Sequence, residues 1–231
     1  YTPDMQVSVL VKDSTGIDLE AMTINDNGHD APGAGGPDAR LFWDASTGTV
    51  KNSEVAGHYV INGDQTGQGI AVDAGSGETA NLTVSSTAIS GFQKNGIDIV
   101  DGNSLTSNPG TISVDVEGGS ITGAGATTTL AQNGVLAWNQ GGGAVTAKVN
   151  GTAISNLQYL GSDQDVGVYA YGTAGFTTVS NVSFSNVDLY ISNGSGSAID
   201  ATTGNIFDGV AQSGASKSQL AAIEDKLYGI T

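Results

Sequence analysis

Several residue types that define common protein classes are scarce in this chain. It has no cysteine, which excludes disulfide bonds and thiolate zinc sites. Lysine and arginine together number 7 against 23 acidic residues, so the formal net charge is −16. Because a phosphate backbone attracts clustered cations, nucleic acid is not an expected partner. No apolar run reaches the roughly 18 residues that a membrane-spanning helix needs, and no span is expected.

The residues that are abundant favour strands and tight turns. The chain has 35 glycines and many threonine, serine, valine and asparagine residues, and its charged residues amount to only 13%. This composition is typical of secreted bacterial or archaeal surface proteins and predicts an extracellular or cell-surface location. Because the sequence starts at Tyr1 without a signal-like segment, we expect a processed end or the cut edge of a longer protein.

A short apolar strand recurs roughly every 30 residues. Its copies include "RLFWDA", "GIAVDA", "GIDIVD", "GVLAWN" and "GSAIDA", and the copies are anchored at Arg40, Gly69, Gly96, Gly134, Gly167 and Gly196. Further strands with Asn, Ser or Gly corners follow most copies. A β-sandwich does not require the same order of strands in every repeat, whereas a parallel β-solenoid does. We therefore predict an all-β fold, a right-handed parallel β-helix of about seven coils over residues 1–210.

This pattern resembles the parallel β-helix repeat of pectate-lyase-like proteins. The resemblance covers residues 7–210 and implies a solenoid whose outer face serves as the ligand groove. A shorter segment, "NIFDGVAQSG" with "LAAIEDKLYGI", is similar to module ends in very large, repetitive bacterial surface proteins. That second resemblance implies a module that stands beside others in an adhesin-like protein.

The C-terminal residues follow a different pattern. Over 214–231 the apolar residues Leu220, Ile223 and Leu227 recur at spacings of three and four, which predicts an amphipathic helix. Since the last coil of a solenoid needs a covering element, we interpret residues 211–231 as a helical cap or linker.

The repeat assigns the two faces of the anchor strand. Its inward row is predicted to comprise Leu41 and Trp43, Ile70 and Val72, Ile97 and Ile99, Val135 and Ala137, Val168 and Ala170, and Ser197 and Ile199. Its outward rows are predicted to comprise Phe42, Ala71, Asp98, Leu136, Tyr169 and Ala198, and Asp44, Asp73, Val100, Trp138, Tyr171 and Asp200. The outward rows therefore carry more apolar residues than a solvated face needs.

Neighbouring coils bring several of these outward side chains together. The predicted contact patch consists of Leu136, Trp138, Tyr169 and Tyr171, flanked by Asp98 and Asp73. One interpretation is that a loop (101–110 or 123–133), a partner module or another copy covers the patch. The other is glycan contact, because sugar rings stack on aromatic faces while their hydroxyls bind carboxylates.

Catalytic and metal-binding residues are harder to find. Asp73 and Asp98 lie on adjacent coils and suit a carboxylate pair for glycoside hydrolysis, but the interpretation that we prefer is solvated acidic side chains on a solenoid face. The chain lacks an Asp-Asp pair, and its outward rows offer no lysine, so we assign no catalytic residue. In the polar loop around His29, the carboxylates of Asp26, Asp30 and Asp38 suit Ca²⁺, although a plain surface loop remains the alternative.

Two functional hypotheses follow. The first is a non-enzymatic extracellular structural or adhesive module, whose partners are neighbouring modules or copies of itself in a filament or layer. The second is a β-helix that binds or degrades polysaccharides through the aromatic and acidic face. Neither hypothesis requires a cofactor, and Ca²⁺ is the one ion that the sequence suggests.

Overall fold

The chain forms a parallel β-solenoid of about six turns, which confirms the predicted fold class. The structure is a computed structural model. It describes residues 6–25, 38–57, 67–101, 110–140, 142–172, 175–201 and 203–230. Each complete coil contributes three short strands joined by sharp corners, and the last coil is partial.

The strands are short because each coil must turn three times. In chain order they are β1 (Gln6–Lys12), β2 (Ile17–Glu20), β3 (Thr23–Asn25), β4 (Asp38–Asp44), β5 (Thr47–Lys51), β6 (Glu54–Ala56), β7 (Gln68–Asp73), β8 (Thr79–Ser85), β9 (Ala88–Ser90), β10 (Asn95–Asp101), β11 (Thr111–Glu117), β12 (Ser120–Thr127), β13 (Asn133–Asn139), β14 (Ala144–Asn150), β15 (Ala153–Tyr159), β16 (Val166–Gly172), β17 (Gly175–Ser180), β18 (Ser183–Val187), β19 (Leu189–Asn193), β20 (Ile206–Phe207), β21 (Val210–Ala211) and β22 (Leu227–Tyr228).

Equivalent strands of successive coils stack into three sheets. Sheet A has the order β1-β4-β7-β10-β13-β16-β19-β22, sheet B the order β2-β5-β8-β11-β14-β17, and sheet C the order β3-β6-β9-β12-β15-β18-β20-β21. The strands pair in parallel, and among the described strands the exception is the antiparallel pair β20–β21. The anchor strands of the repeat belong to sheet A.

Inward side chains of sheet A stack in register along the solenoid axis. Leu41, Ile70, Ile97, Val135 and Val168 are paired successively from β4 to β16, and all are fully buried. Stacked rows of this kind bury a continuous core that no single coil provides alone. The inward and outward assignment of the anchor strands is thus confirmed from β4 to β16.

The sheet A strand of the last coil differs from the prediction. Ile191 on β19, not a residue after Gly196, pairs with Val168. The segment "GSAIDA" instead runs past sheet B, where Asp200 forms a bridge with Thr178. Ile199 is buried, but Ser197 is exposed and Ala198 and Asp200 do not belong to the outward rows of sheet A.

The anchor glycines are explained by close approach between sheets A and C. A Cβ atom at Gly96 would lie 2.6 Å from the Cγ2 atom of Ile121 in sheet C and 2.7 Å from the carbonyl oxygen of Gly134. Gly69 meets the equivalent pair, Ile89 Cγ2 at 2.7 Å and the Gly96 carbonyl oxygen at 2.5 Å. Because the isoleucine side chain of sheet C occupies this space, the sheet A strand has room only for a residue without a side chain at this position.

A two-residue corner joins sheet B to sheet C in every complete coil. Its first residue adopts the left-handed conformation, and these residues are Ala21, Asn52, Ser86, Gly118, Gly151 and Asn181, with φ between 48° and 70°. The backbone N–H of each donates to a carbonyl of the next coil. Glycine and asparagine tolerate this conformation best, as the sequence predicts for the corners.

The C-terminal segment contains a shorter helix than predicted. Helix α1 (Lys217–Glu224) begins at the N-cap Ser216, which forms a capping box with Gln219. Ile223 on α1 is buried against the core. Leu227 leaves the helix and joins sheet A through β22, because there it extends the apolar row above Ile191. No helix in the described ranges is long and apolar enough to cross a membrane.

Candidate binding groove

The outer face of sheet A changes character along the solenoid. Phe42 on β4 and Ala71 on β7 are buried and form a small apolar cluster outside the sheet. From β13 onward the same face is more accessible to solvent. Tyr171 is 46% exposed there, and Trp138 and Tyr169 are half-buried. The apolar outward rows are therefore covered near the N-terminal coils and accessible near the C-terminal coils.

An open groove of about 960 Å³ lies over the accessible half. Leu136, Trp138, Tyr169 and Tyr171 all line it, so the structure brings the predicted apolar patch together. Tyr159, at the end of β15, contributes a further aromatic side chain. Whether these residues contact a ligand stays a prediction.

Register and ring geometry fix the aromatic wall. Leu136 pairs with Tyr169, and Trp138 pairs with Tyr171 on the next coil. The rings of Trp138 and Tyr171 meet edge to face, with centroids 5.5 Å apart and planes at 70°. The centroids of Tyr169 and Tyr171 are 5.8 Å apart. Neighbouring rings of this kind hold one another in place and leave faces available to a ligand.

Trp138 is half-buried beside the one predicted covering loop that the structure describes. Of the two candidate loops, residues 102–109 lie outside the described residues. In the other, Ala131 lines the groove beside Leu136 instead of closing over it. Residues 161–164, which are exposed, also line the groove.

A polar column lies at the corner before the sheet A strands. It consists of Lys94, Gln132, Asp165 and Asp188 on successive coils. The backbone N–H of Gln132 donates to Asp165 Oδ1 at 2.7 Å, and Asp188 Oδ2 accepts from the backbone N–H of Tyr159 at 2.7 Å and of Asp165 at 3.2 Å. These bonds join three coils and hold the 159–165 loop that forms the groove wall.

Asp165 is the member of this column whose carboxyl is both buried and incompletely hydrogen-bonded. It is fully buried, and its Oδ2 has no hydrogen-bond partner in the described structure. Burial raises the pKa of Asp165 to about 7, and the nearby charge of Asp188 acts in the same direction. The folded protein therefore populates both the protonated and the ionised form of this carboxyl near neutral pH.

Two lysines line the groove, and the outward rows of the sequence did not reveal them. Lys94 Nζ donates to the Ala131 carbonyl oxygen at 2.6 Å, and burial lowers the pKa of this ammonium. Lys226, from the segment before β22, donates to Asp208 at 3.3 Å. Asp163 and Asp188 also line the groove. All four lie in corners, loops or the tail, where strand periodicity gives no signal.

Asp73 and Asp98, predicted to flank the patch, lie outside the groove lining. Asp73 is buried and its Oδ1 accepts from the backbone N–H of Ala74 at 2.8 Å. Asp98 pairs in register with Leu136, and burial raises its pKa to about 7. Its Oδ1 has no hydrogen-bond partner in the described part of the chain. Asp98 as a whole is half-buried, and a role for either aspartate in ligand contact stays a prediction.

The calcium prediction remains untested. Asp26 and Asp30 lie outside the described residues, and Asp38 is described only as the first residue of β4. Within the ranges that the structure describes, no three histidine, cysteine, aspartate or glutamate side chains are grouped to hold a metal ion.

The architecture and the groove define a class: a parallel β-solenoid with an open aromatic groove over its C-terminal coils. No protein-family model, curated protein or solved structure matches the chain. The resemblance to pectate-lyase-like proteins and to adhesin modules therefore remains a prediction beyond the level of fold.

Proposed function

We propose that this chain is a saccharide-binding module, adhesive and non-enzymatic, that acts at a cell surface or outside the cell. One observation carries the proposal: three aromatic side chains on adjacent coils, Trp138, Tyr169 and Tyr171, face an open groove. Isolated exposed apolar residues are ordinary on protein surfaces, whereas a contiguous patch in a concave site marks contact with a partner.

The chemistry of the groove suits a sugar chain. The C–H faces of a pyranose ring pack on aromatic faces, and its hydroxyls donate to carboxylates such as Asp163 and Asp188. A volume of about 960 Å³ lies near the upper end of the roughly 300–1,000 Å³ usual for ligand sites. Because the rings stand on a rigid sheet, little ordering is needed on binding.

Binding is favoured over cleavage by the placement of the acidic pair. The carboxylates that the sequence offers for hydrolysis, Asp73 and Asp98, do not line the groove. End-to-end assembly of copies has less support than ligand binding, because Ile223 of α1 and β22 cover the core at the last coil. The exposed Leu10 and Met22 of the first coil are the observation that would favour assembly.

Replacing Trp138 with alanine is expected to weaken binding to any glycan that the protein retains by about tenfold or more. Loss of one aromatic stacking partner removes about 0.5–1.5 kcal/mol in addition to the free energy of the apolar area that the ring buries, and about 1.4 kcal/mol is a factor of ten. A glycan array identifies the ligand, and calorimetry on wild type and variant measures the affinity. Leu160→Ala is the matched control, because Leu160 is 68% exposed but does not line the groove.

Two results would refute the proposal. One is a wild-type protein that retains no glycan, and the other is a Trp138→Ala variant that binds as tightly as wild type. Thermal unfolding of both variants separates loss of binding from loss of fold. Released oligosaccharide products would show an enzyme instead of a binding module.

A further inference from the structure

The acidic residues at the groove differ in their exposure to solvent. Asp163 is exposed on the groove wall, and Asp188 lines the groove from the corner before β19. Asp165 lies buried directly beneath, next to Asp188 in the polar column. Carboxylate oxygens thus line the groove together with the aromatic side chains.

The two lysines that line the groove differ in how their ammonium groups are already occupied by other groups of the protein. The Lys226 ammonium is paired with Asp208, donates to the Val187 carbonyl oxygen at 3.0 Å, and lies 4.7 Å from the Tyr190 ring centroid. Its donors are therefore already engaged. The Lys94 ammonium donates to a backbone carbonyl and interacts electrostatically with the exposed carboxylate of Asp163 and with the partly protonated carboxyls of Asp98 and Asp165.

From this arrangement we infer that the groove selects neutral saccharides and discriminates against uronic acids; the inference rests on the proposed function. A neutral sugar presents hydroxyls, which donate hydrogen bonds to Asp163 and Asp188. A uronate carboxylate only accepts hydrogen bonds, and its negative charge is repelled by the carboxylates of Asp163 and Asp188. A chain with a net charge of −16 adds long-range repulsion of the same sign.

Matched hexasaccharide pairs test the inference on the wild-type protein. Suitable pairs are β-1,4-glucan with β-1,4-glucuronan, β-1,4-mannan with β-1,4-mannuronan, and α-1,4-galactan with α-1,4-galacturonan, each differing at the C6 substituent. We expect the neutral member of any bound pair to bind at least about tenfold more tightly. A uronate member that binds equally or better overturns the inference while leaving saccharide binding intact. If no member of any pair binds and the array is also blank, both proposals fail.

The salt dependence of uronate binding shows whether the groove attracts or repels the uronate carboxylate. Raising NaCl from 0.05 to 0.5 M should strengthen residual uronate binding several-fold, because screening weakens repulsion. Uronate affinity that falls with salt would instead indicate attraction to Lys94 and overturn the inference. Asp163→Asn should raise the uronate-to-neutral affinity ratio several-fold. Glu117→Gln, an equally exposed charge removal on sheet B, should leave that ratio unchanged.

Discussion

Replacing Gly119 with alanine is expected to lower the free energy of unfolding by about 3–5 kcal/mol. Gly119 is the second residue of the corner between β11 and β12, with φ at +71°. An added Cβ would lie 2.2 Å from the carbonyl oxygen and 2.6 Å from the backbone nitrogen of Thr87 on the preceding coil. Backbone atoms of a stacked coil have no room to move aside, so the strain adds to that of the left-handed conformation.

Gly151 provides the matched control for this prediction. Its φ is +67°, but an added Cβ meets nothing closer than 3.8 Å. Gly151→Ala should therefore cost about 1–2 kcal/mol, the price of the backbone conformation alone. Chemical denaturation of both variants measures the difference. Equal losses of stability would show that contact between coils does not restrict the Gly119 corner.

Replacing Asp165 with asparagine is expected to stabilise the protein by about 1–3 kcal/mol at pH 8 and to change little at pH 4. The pKa of this carboxyl is about 7 in the folded protein, above the ordinary value of 3.8. Between these two values the folded state binds more protons, so Asp165 makes the free energy of unfolding fall as pH rises from about 4 to 7. Asparagine removes that contribution while its oxygen still accepts from Gln132.

Denaturation of wild type and Asp165→Asn at a series of pH values checks this prediction. The curves should converge near pH 4, separate as the pH rises from about 4 to 7, and stay apart above pH 7. Asp163→Asn is the control, because it makes the same replacement at an exposed position of the same loop. A constant difference between the curves at every pH would contradict the assignment of the proton to Asp165.

The core of the solenoid could be predicted from the sequence because two simple periods specify it. Alternation along each strand sets the face, and the glycine anchors set the register between coils. The anchor rule fails at the last coil, where Tyr190 occupies the glycine position next to Gly167. There the Tyr190 ring packs on Phe184 and Phe207, at centroid distances of 5.5 and 4.8 Å, in place of a close isoleucine contact.

Only the part of the groove that lies on strands could be predicted from the sequence, because periodicity describes strands and not corners or loops. Trp138, Tyr169 and Tyr171 belong to strands, so periodicity places them on one outer face. Lys94 and Asp188 are corner residues, and Asp163 lies in a loop whose path depends on hydrogen bonds across coils. Sequence alone offers no rule for such contacts, because they join residues about one repeat apart without alternation.

The placement of Lys226 and β22 has a consequence for the order in which the protein matures. Coils of a solenoid can stack one after another as the polypeptide emerges, since each contacts mainly its neighbours. The groove, however, takes Lys226 from the segment that lays β22 onto β19. A nascent chain can therefore complete most of its core before the lining of the groove is complete.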